Sequence, residues 1–367
     1  MDSQQQTTRA LSVAIAARTP VLLWGAPGTG KTSVVNAIAA TAGWACETVI
    51  ASLREPSDFA GLPVVTGSGL EAEVMFAPPR WAKRLSVAGA GVLFFDEIST
   101  APPAVQAALL RVVLERTVGD LTLPEGVSVV AAANPPEQAA DGWDLSAPLA
   151  NRFCHLDWPA DARRMAEGFA SGWGSPVVPD LPPGWATQIP VARSWVAGFA
   201  SVRPTLALAV PEDAAASGRA WPSPRSWDMA ATLLAAARAA DVDDRVESLL
   251  VRGCVGHGPG SEFLTWLVEA DLPDPEQVLA DPSSFHLPER GDRAFAALTS
   301  IAAVVAAHPT ADRWAAAWKV FGAASQKAPD AAATAARTLA RCRPAGAPVP
   351  PEVAAFGPLL RDAQLLA

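Results

Sequence analysis

Eight residues, 25 to 32, have the types and spacing that could hold a phosphate group. They follow a short apolar run and precede a helical pattern, as the motif G-x-x-x-x-G-K-[ST] requires. Its glycines let successive N–H groups turn toward a phosphate, and the N-terminus of the next helix adds positive potential. The chain has only four lysines, so an incidental lysine in a glycine-rich turn is the weaker interpretation. The predicted nucleotide-binding residues are Gly25, Ala26, Pro27, Gly28, Thr29, Gly30, Lys31 and Thr32.

Two carboxylates end a later apolar run. Asp96 and Glu97 follow Val92–Phe95, and alone such a pair is more often a solvated strand exit. Beside a phosphate loop in one sheet, Asp96 and the hydroxyl of Thr32 are expected to hold Mg²⁺, while Lys31 reaches the β- and γ-phosphates. Glu97 is expected to orient and deprotonate an attacking water.

Five brief apolar runs bounded by Gly, Pro or Asn predict the strands that must position these groups. Helical stretches at 10–17, 32–40 and 103–115 alternate with them, so the fold class is α/β, with a doubly wound and mostly parallel five-stranded sheet. Two hairpins are expected as insertions, one between 63 and 76 and one around Gly119. The predicted strands cover residues 21–24, 46–51, 92–95, 127–133 and 153–158.

The pattern changes after residue 160. Strand signals fade, prolines and glycines crowd 174–190, and alanine-rich helical segments follow, while Gly256–Gly260 predicts a turn. We therefore expect a nucleotide-binding core over 1–160, a helical lid with a Pro-rich linker over 161–285, and a C-terminal helical region over 286–367.

Composition excludes several classes of protein. Lys and Arg number 28 against 37 Asp and Glu, a net charge of −9, so capture of nucleic acid through its phosphates is disfavoured. The four cysteines lie far apart, without the spacing of a zinc site or a disulfide framework. We find no signal peptide and no apolar run that could span a membrane, and expect a cytoplasmic protein.

Several motifs together resemble those of the AAA+ ATPases, and specifically the MoxR-like branch. The resemblance extends over about residues 11–161 and more loosely over the lid. Besides the phosphate loop and the Asp-Glu pair, it includes Arg54–Gly61 and Leu114–Val118. The strand exit at Ala133-Asn134-Pro135 and the turn Asn151-Arg152-Phe153 complete it.

The resemblance implies roles for three further polar residues. Asn134 falls at sensor 1, which helps to position water; an Asn-Pro turn is the alternative. Arg152 falls at the arginine finger, which enters a neighbouring subunit's site and stabilises transition-state charge; the alternative is a surface arginine paired with a carboxylate. Arg225 resembles sensor 2 at the start of a lid helix, although an arginine near a helix cap without catalytic duty would look the same.

The same resemblance implies a function. It implies ATP as the nucleotide, Mg²⁺-dependent hydrolysis, a homo-oligomeric ring that is expected to be hexameric, and chaperone-like remodelling or maturation of a partner complex. The frequent partner in this branch is a protein with a von Willebrand factor A domain, which the inserted hairpins would face. The alternatives are a slow nucleotide-dependent assembly or regulatory switch and, less favoured, a DNA-associated motor.

Overall fold

The chain folds into two compact units. The computed structural model describes residues 3–68, 71–135 and 143–362. The first unit comprises residues 1–183 and 208–260, and the second comprises residues 184–207 and 261–367. The predicted division at residues 160 and 285 remains a prediction.

A five-stranded sheet forms the centre of the first unit. Its spatial order is β2-β5-β8-β1-β9, and all four neighbouring pairs are parallel. The prediction of a mostly parallel α/β sheet is thus confirmed, and each predicted strand is present within two residues at either end. The five strands are Val21–Trp24 (β1), Ala45–Ile50 (β2), Ala90–Asp96 (β5), Gly126–Ala133 (β8) and Cys154–Asp157 (β9).

The inner strands are apolar because both of their faces are buried. All four residues of β1 are buried, and so are seven of the eight residues of β8, from Val127 to Ala133. Strands covered on both faces are apolar at nearly every position rather than at alternate ones; the exception in β8 is Ser128, whose hydroxyl donates to the carbonyl oxygen of Ile15. This is why short continuous apolar runs predicted them correctly.

Two antiparallel hairpins interrupt the α/β pattern, as predicted. The first pairs β3 (Leu62–Thr66) with β4 (Glu73–Ala77), and the second pairs β6 (Thr117–Val118) with β7 (Leu121–Thr122). Neither hairpin joins the central sheet.

Helices of the first unit cover the sheet and continue after it. The first, α1, begins earlier than the predicted residue 10, whereas α5 has the predicted bounds and starts with a proline, which is favoured at the first helical position. Their bounds are Ser3–Ala16 (α1), Lys31–Thr41 (α2), Ser57–Ala60 (α3), Arg80–Ala88 (α4), Pro103–Glu115 (α5), Ala147–Ala150 (α6) and Ala162–Ser171 (α7). Residues 208–260 add Ala214–Ser217 (α10), Pro224–Ala239 (α11) and Asp244–Val255 (α12).

The second unit is helical. Trp318 is fully buried there, and its ring contacts Phe321 and Phe356. The helices are Ile189–Val202 (α8), Pro204–Ala207 (α9), Pro275–Ala280 (α14), Gly291–Ala307 (α15), Ala311–Ala324 (α16), Pro329–Arg341 (α17) and Gly357–Asp362 (α18). Among the helices within the described ranges, none is both long and apolar enough to cross a bilayer.

The prediction of a turn over Gly256–Gly260 is wrong. Gly256, at φ 90°, ends α12, but a new helix, α13 (His257–Ala270), starts at the next residue. Pro259 lies in its first turn, where a helix needs no N–H from that residue.

Candidate nucleotide-binding site

The strand order brings the predicted residues to one edge of the sheet. The carboxyl ends of parallel strands meet at the same edge, where ligands of open α/β sheets bind. β1 leads there into the phosphate loop, β5 ends at Asp96, and β8 lies between them and leads into Asn134. The order therefore places Asn134 between the carboxylates and the loop.

The phosphate loop has backbone angles that glycine favours. Gly28 has φ 76° and Gly30 has φ 92°, a region that other residues enter only at a cost. Gly25 is required for a different reason: a Cβ on it would lie 2.8 Å from the carbonyl oxygen of Trp158. The loop then opens α2 at Lys31, so that the positive end of this helix faces the loop.

Lys31 lies at the centre of the site. Its side chain is 7% exposed, and Nζ donates to the carbonyl oxygens of Gly25 at 2.6 Å and Ala26 at 2.9 Å. It also donates to Oδ1 of Asn134 at 3.0 Å. Burial lowers the pKa of Lys31, and the carboxylates of Asp96 and Glu97 oppose this effect. The lysine and three other predicted residues thus lie in one electrostatic cluster.

Thr32 and Asp96 fit a magnesium ion. The hydroxyl of Thr32 donates to Oδ2 of Asp96 at 2.7 Å, so two oxygen ligands lie together beside the loop. Mg²⁺ prefers oxygen ligands and usually takes only one or two from the protein, the rest coming from phosphates and water. This donor set matches that preference.

Glu97 is held in an unusual backbone conformation. Its φ is 57°, in the left-handed region that non-glycine residues seldom adopt. The side chain is exposed, and Oε2 accepts a 2.7 Å hydrogen bond from the hydroxyl of Ser52. Ser52 follows β2, the neighbour of β5 in the sheet.

A second cluster joins the two predicted arginines. Arg152 donates to the carbonyl oxygen of Pro148, and its pKa is lowered first by burial and then by the positive charge of Arg225. The two guanidinium groups therefore influence each other electrostatically. The chain segments that carry them are connected by a hydrogen bond: the hydroxyl of Ser223 donates to Oδ1 of Asn151 at 2.7 Å, although the two residues are 72 positions apart in sequence.

Three residues with contacts at the site had no role assigned from the sequence. Ser52 contacts Glu97, Asn151 contacts the start of α11, and the indole N–H of Trp158 donates to the carbonyl oxygen of Thr29 at 2.9 Å. Ser52 and Trp158 follow β2 and β9 at the carboxyl edge of the sheet, whereas Asn151 precedes β9. For Ser52 and Trp158, the position at the end of a predicted strand was the available signal.

Known proteins resemble mainly the sheet-containing part. Residues 20–153 match the AAA domain of the dynein-related subfamily. The chain is 33% identical over 168 residues to the protein MoxR of Methylorubrum extorquens, covering 44% of this chain and 47% of MoxR. It is 34% identical over 129 residues to the Nif-specific regulatory protein of Klebsiella pneumoniae, covering 32% of this chain and 23% of that protein.

The match to a solved structure is longer but weaker in identity. A crystal structure of a protein from Cytophaga hutchinsonii shares 19% identity, covers 70% of this chain and 82% of its own, and has a TM-score of 0.46. This chain spans about half the length of MoxR and about a quarter of the regulatory protein. The matched AAA domain contains the phosphate loop, the Asp-Glu pair, Asn134 and Arg152. The comparisons thus support the resemblance to the MoxR-like AAA+ ATPases over the matched part of the chain.

Proposed function

We propose that this protein binds ATP with Mg²⁺, hydrolyses it in a ring of identical copies, and uses the cycle to remodel or mature a partner complex in the cytoplasm. The observation that carries the proposal is the cluster of Lys31, Thr32 and Asp96 beside a loop in which Gly28 and Gly30 have positive φ. These groups suit a triphosphate with its metal ion.

Binding would rest on the loop and Lys31. The loop N–H groups and the start of α2 favour phosphate oxygens, and the ammonium group adds a positive charge that the burial of Lys31 shields from water. Thr32 and Asp96 would hold Mg²⁺, which supplies neutralisation of phosphate charge when bound.

Hydrolysis would use Glu97 and Asn134. The exposed carboxylate of Glu97 can accept a proton from a water that attacks the γ-phosphate. The amide of Asn134, already bonded to Lys31 through Oδ1, retains an N–H₂ group that can orient that water.

The two arginines support a ring. Arg152 and Arg225 affect each other through their charges, and two cations held together are stabilised by an anion placed between them. We propose that this pair meets the γ-phosphate bound to a neighbouring copy. A closed ring then gives every site the same donor, and a hexamer is the expected form.

The inserted hairpins offer a surface for a partner. Both strands of the β3–β4 hairpin expose apolar side chains; Val65 is 68% exposed and Val74 is 57% exposed. Exposed apolar surface of this kind is typical of interaction sites. A protein with a von Willebrand factor A domain is the partner we propose.

Lys31→Ala tests the binding site. Loss of a charge-assisted contact should weaken ATP affinity about 10- to 100-fold, measured by titration with a fluorescent ATP analogue and Mg²⁺. Lys83→Ala, on the exposed side of α4, is the matched control and should bind as the unmodified protein does. Equal affinity of the two variants would refute the proposed site.

The hydrogen bond from Ser52 to Glu97 favours a second candidate, a slow nucleotide-dependent switch. A hydroxyl that donates to this carboxylate occupies one of its oxygens and weakens it as a base. Ser52→Ala should then raise the rate of ATP hydrolysis about threefold, from the modest net value of one hydrogen bond. Ser171→Ala on α7 is the control. A lower rate in Ser52→Ala would mean that Ser52 aligns Glu97 for continuous turnover instead.

A further inference from the structure

Asn151 is a buried polar residue that directly precedes Arg152. It is 4% exposed, and both ends of its amide have partners. Nδ2 donates to the carbonyl oxygen of Trp221 at 3.1 Å, and Oδ1 accepts from the hydroxyl of Ser223 at 2.7 Å. A buried amide satisfied at both ends holds its backbone in one position.

The two partners of Asn151 belong to the start of α11. Ser223 is the N-cap of this helix and forms a capping box with Ser226. The hydroxyl of Ser226 also donates to the carbonyl oxygen of Trp221, at 2.8 Å. The two partners of the Asn151 amide, the carbonyl oxygen of Trp221 and the hydroxyl of Ser223, are therefore both held by the cap of α11. This leaves the amide little freedom to shift.

The capped helix carries Arg225 in its first turn, one residue before Ser226. The residue after Asn151 is Arg152. A single amide thus joins the turn of one arginine to the helix start of the other, across 70 and 72 positions of sequence.

Two neighbouring arginines stay close only if the backbone segments that carry them are connected. Their positive charges repel each other, so the side chains would separate without that connection. Arg152 is partly buried and Arg225 is exposed, which leaves the pair open to an anion from outside.

We propose that Asn151 is a positioning residue that sets Arg152 and Arg225 as one two-cation grip for the γ-phosphate of ATP bound to a neighbouring copy. The inference rests on the proposed function, because it assumes that the arginines act on another copy's nucleotide. It adds that the grip depends on the Asn151 amide and the cap of α11, and not on Arg152 alone.

The first measurement compares binding with turnover. Asn151→Ala should lower kcat about 10- to 100-fold, since a displacement near 1 Å costs that much in rate. Its own phosphate loop is intact, so the affinity for ATP should stay within about twofold of the unmodified protein. Ser128→Ala is the control: this serine is buried on β8 and donates to the carbonyl oxygen of Ile15, so it should lose stability without this loss of kcat.

Two further variants separate positioning from folding. Ser223→Ala removes the donor to Oδ1 together with the cap acceptor for the N–H of Ser226, and should lower kcat in the same direction. Asn151→Asp keeps the acceptor for Ser223 but loses the donor to Trp221, and should fall between Asn151→Ala and the unmodified protein. Thermal unfolding is measured for all of them, and a kcat that follows only the unfolding temperature would overturn the inference.

Mixing of two impaired variants gives the decisive readout. Lys31→Ala lacks a working nucleotide site but keeps its arginine pair, whereas Asn151→Ala has the reverse defect. Mixed rings should regain hydrolysis well above either variant alone, which a protein that is merely unstable cannot do. The same mixture with Arg152→Ala in place of Asn151→Ala tests the proposed function.

The outcomes distinguish the two ideas. Suppose that the mixture of Lys31→Ala with Arg152→Ala regains hydrolysis. The positioning role of Asn151 alone is then overturned if Asn151→Ala has the kcat of the unmodified protein, or if its own mixture with Lys31→Ala regains no hydrolysis. No recovery with Arg152→Ala refutes the action on a neighbouring copy, and the inference about Asn151 is refuted with it.

Discussion

The indole of Trp158 links the end of one strand to the phosphate loop. Its N–H donates to the carbonyl oxygen of Thr29 at 2.9 Å, and its backbone N–H donates to Trp24 at 2.6 Å. The carbonyl oxygen of Trp158 also lies where a side chain on Gly25 would be. Trp158 therefore contacts the loop at both Thr29 and Gly25.

Trp158→Phe should keep the ring but lose the hydrogen bond to the loop. Because one neutral hydrogen bond contributes about 0.5–1.5 kcal/mol, ATP affinity should fall about 2- to 10-fold, measured by equilibrium titration. Trp173→Phe changes an exposed indole in the same unit and should bind ATP normally. If the two variants bind equally well, the loop does not depend on Trp158.

At the scale of elements, the two inserted hairpins are fastened to each other. The Asp120 carboxylate accepts from the N–H of Phe76 at 2.7 Å, and the N–H of Asp120 donates to the carbonyl oxygen of Phe76 at 3.0 Å. Gly61 and Gly119 also approach so closely that a Cβ on Gly61 would lie 2.8 Å from Cα of Gly119. The β3–β4 hairpin is thus anchored at its base by the β6–β7 turn.

Asp120→Ala should release this anchor. The N–H of Phe76 loses a charge-assisted hydrogen bond, so its hydrogen–deuterium exchange should rise about tenfold, while β1 and β8 exchange as before. Glu71→Ala, which removes a carboxylate from the same hairpin, is the control. Unchanged exchange at Phe76 would show that the glycine contacts alone hold the hairpin.

The elements were more predictable from sequence than their contacts. Strand β1 is a continuous apolar run and β8 nearly so, because both are buried on two faces, and the phosphate loop has a motif of fixed spacing. By contrast, Ser52 and Trp158 are ordinary residue types whose roles depend on strand neighbours, β2 beside β5 and β9 beside β1. Strand order is a long-range property that no local pattern contains, so these partners could not be assigned before the fold was known.

At the scale of the whole molecule, each unit carries a titratable group with a lowered pKa, but the neutral form is favoured in the first unit and the charged form in the second. In the first unit, burial and the nearby charge of Arg219 lower the pKa of His155 to about 4, against a hydrogen bond to Ala150 that raises it. In the second unit, burial would raise the pKa of Asp292, but hydrogen bonds from Arg290 and Trp266 outweigh it and lower the pKa.

These shifts predict different acid sensitivities. A histidine with a lowered pKa binds protons more weakly in the folded state, so its contribution is complete above the ordinary value of 6.5 and is lost as the pH falls toward 4. At pH 5 the loss is on the order of 1–2 kcal/mol. The carboxylate of Asp292 contributes above its ordinary value of 3.8 and loses that contribution only at lower pH.

Acidification from pH 7 to 4.5 should therefore loosen the first unit before the second. Hydrogen exchange, corrected for its intrinsic pH dependence, should show lost protection in β1 and β9 while α15 keeps its protection. His155→Gln can still hydrogen-bond but cannot titrate, so it should remove most of this difference, whereas His286→Gln, at an exposed site, should not. If both units lose protection at the same pH and His155→Gln does not change this, titration of His155 has no separate effect. Acid would then act through other titratable groups.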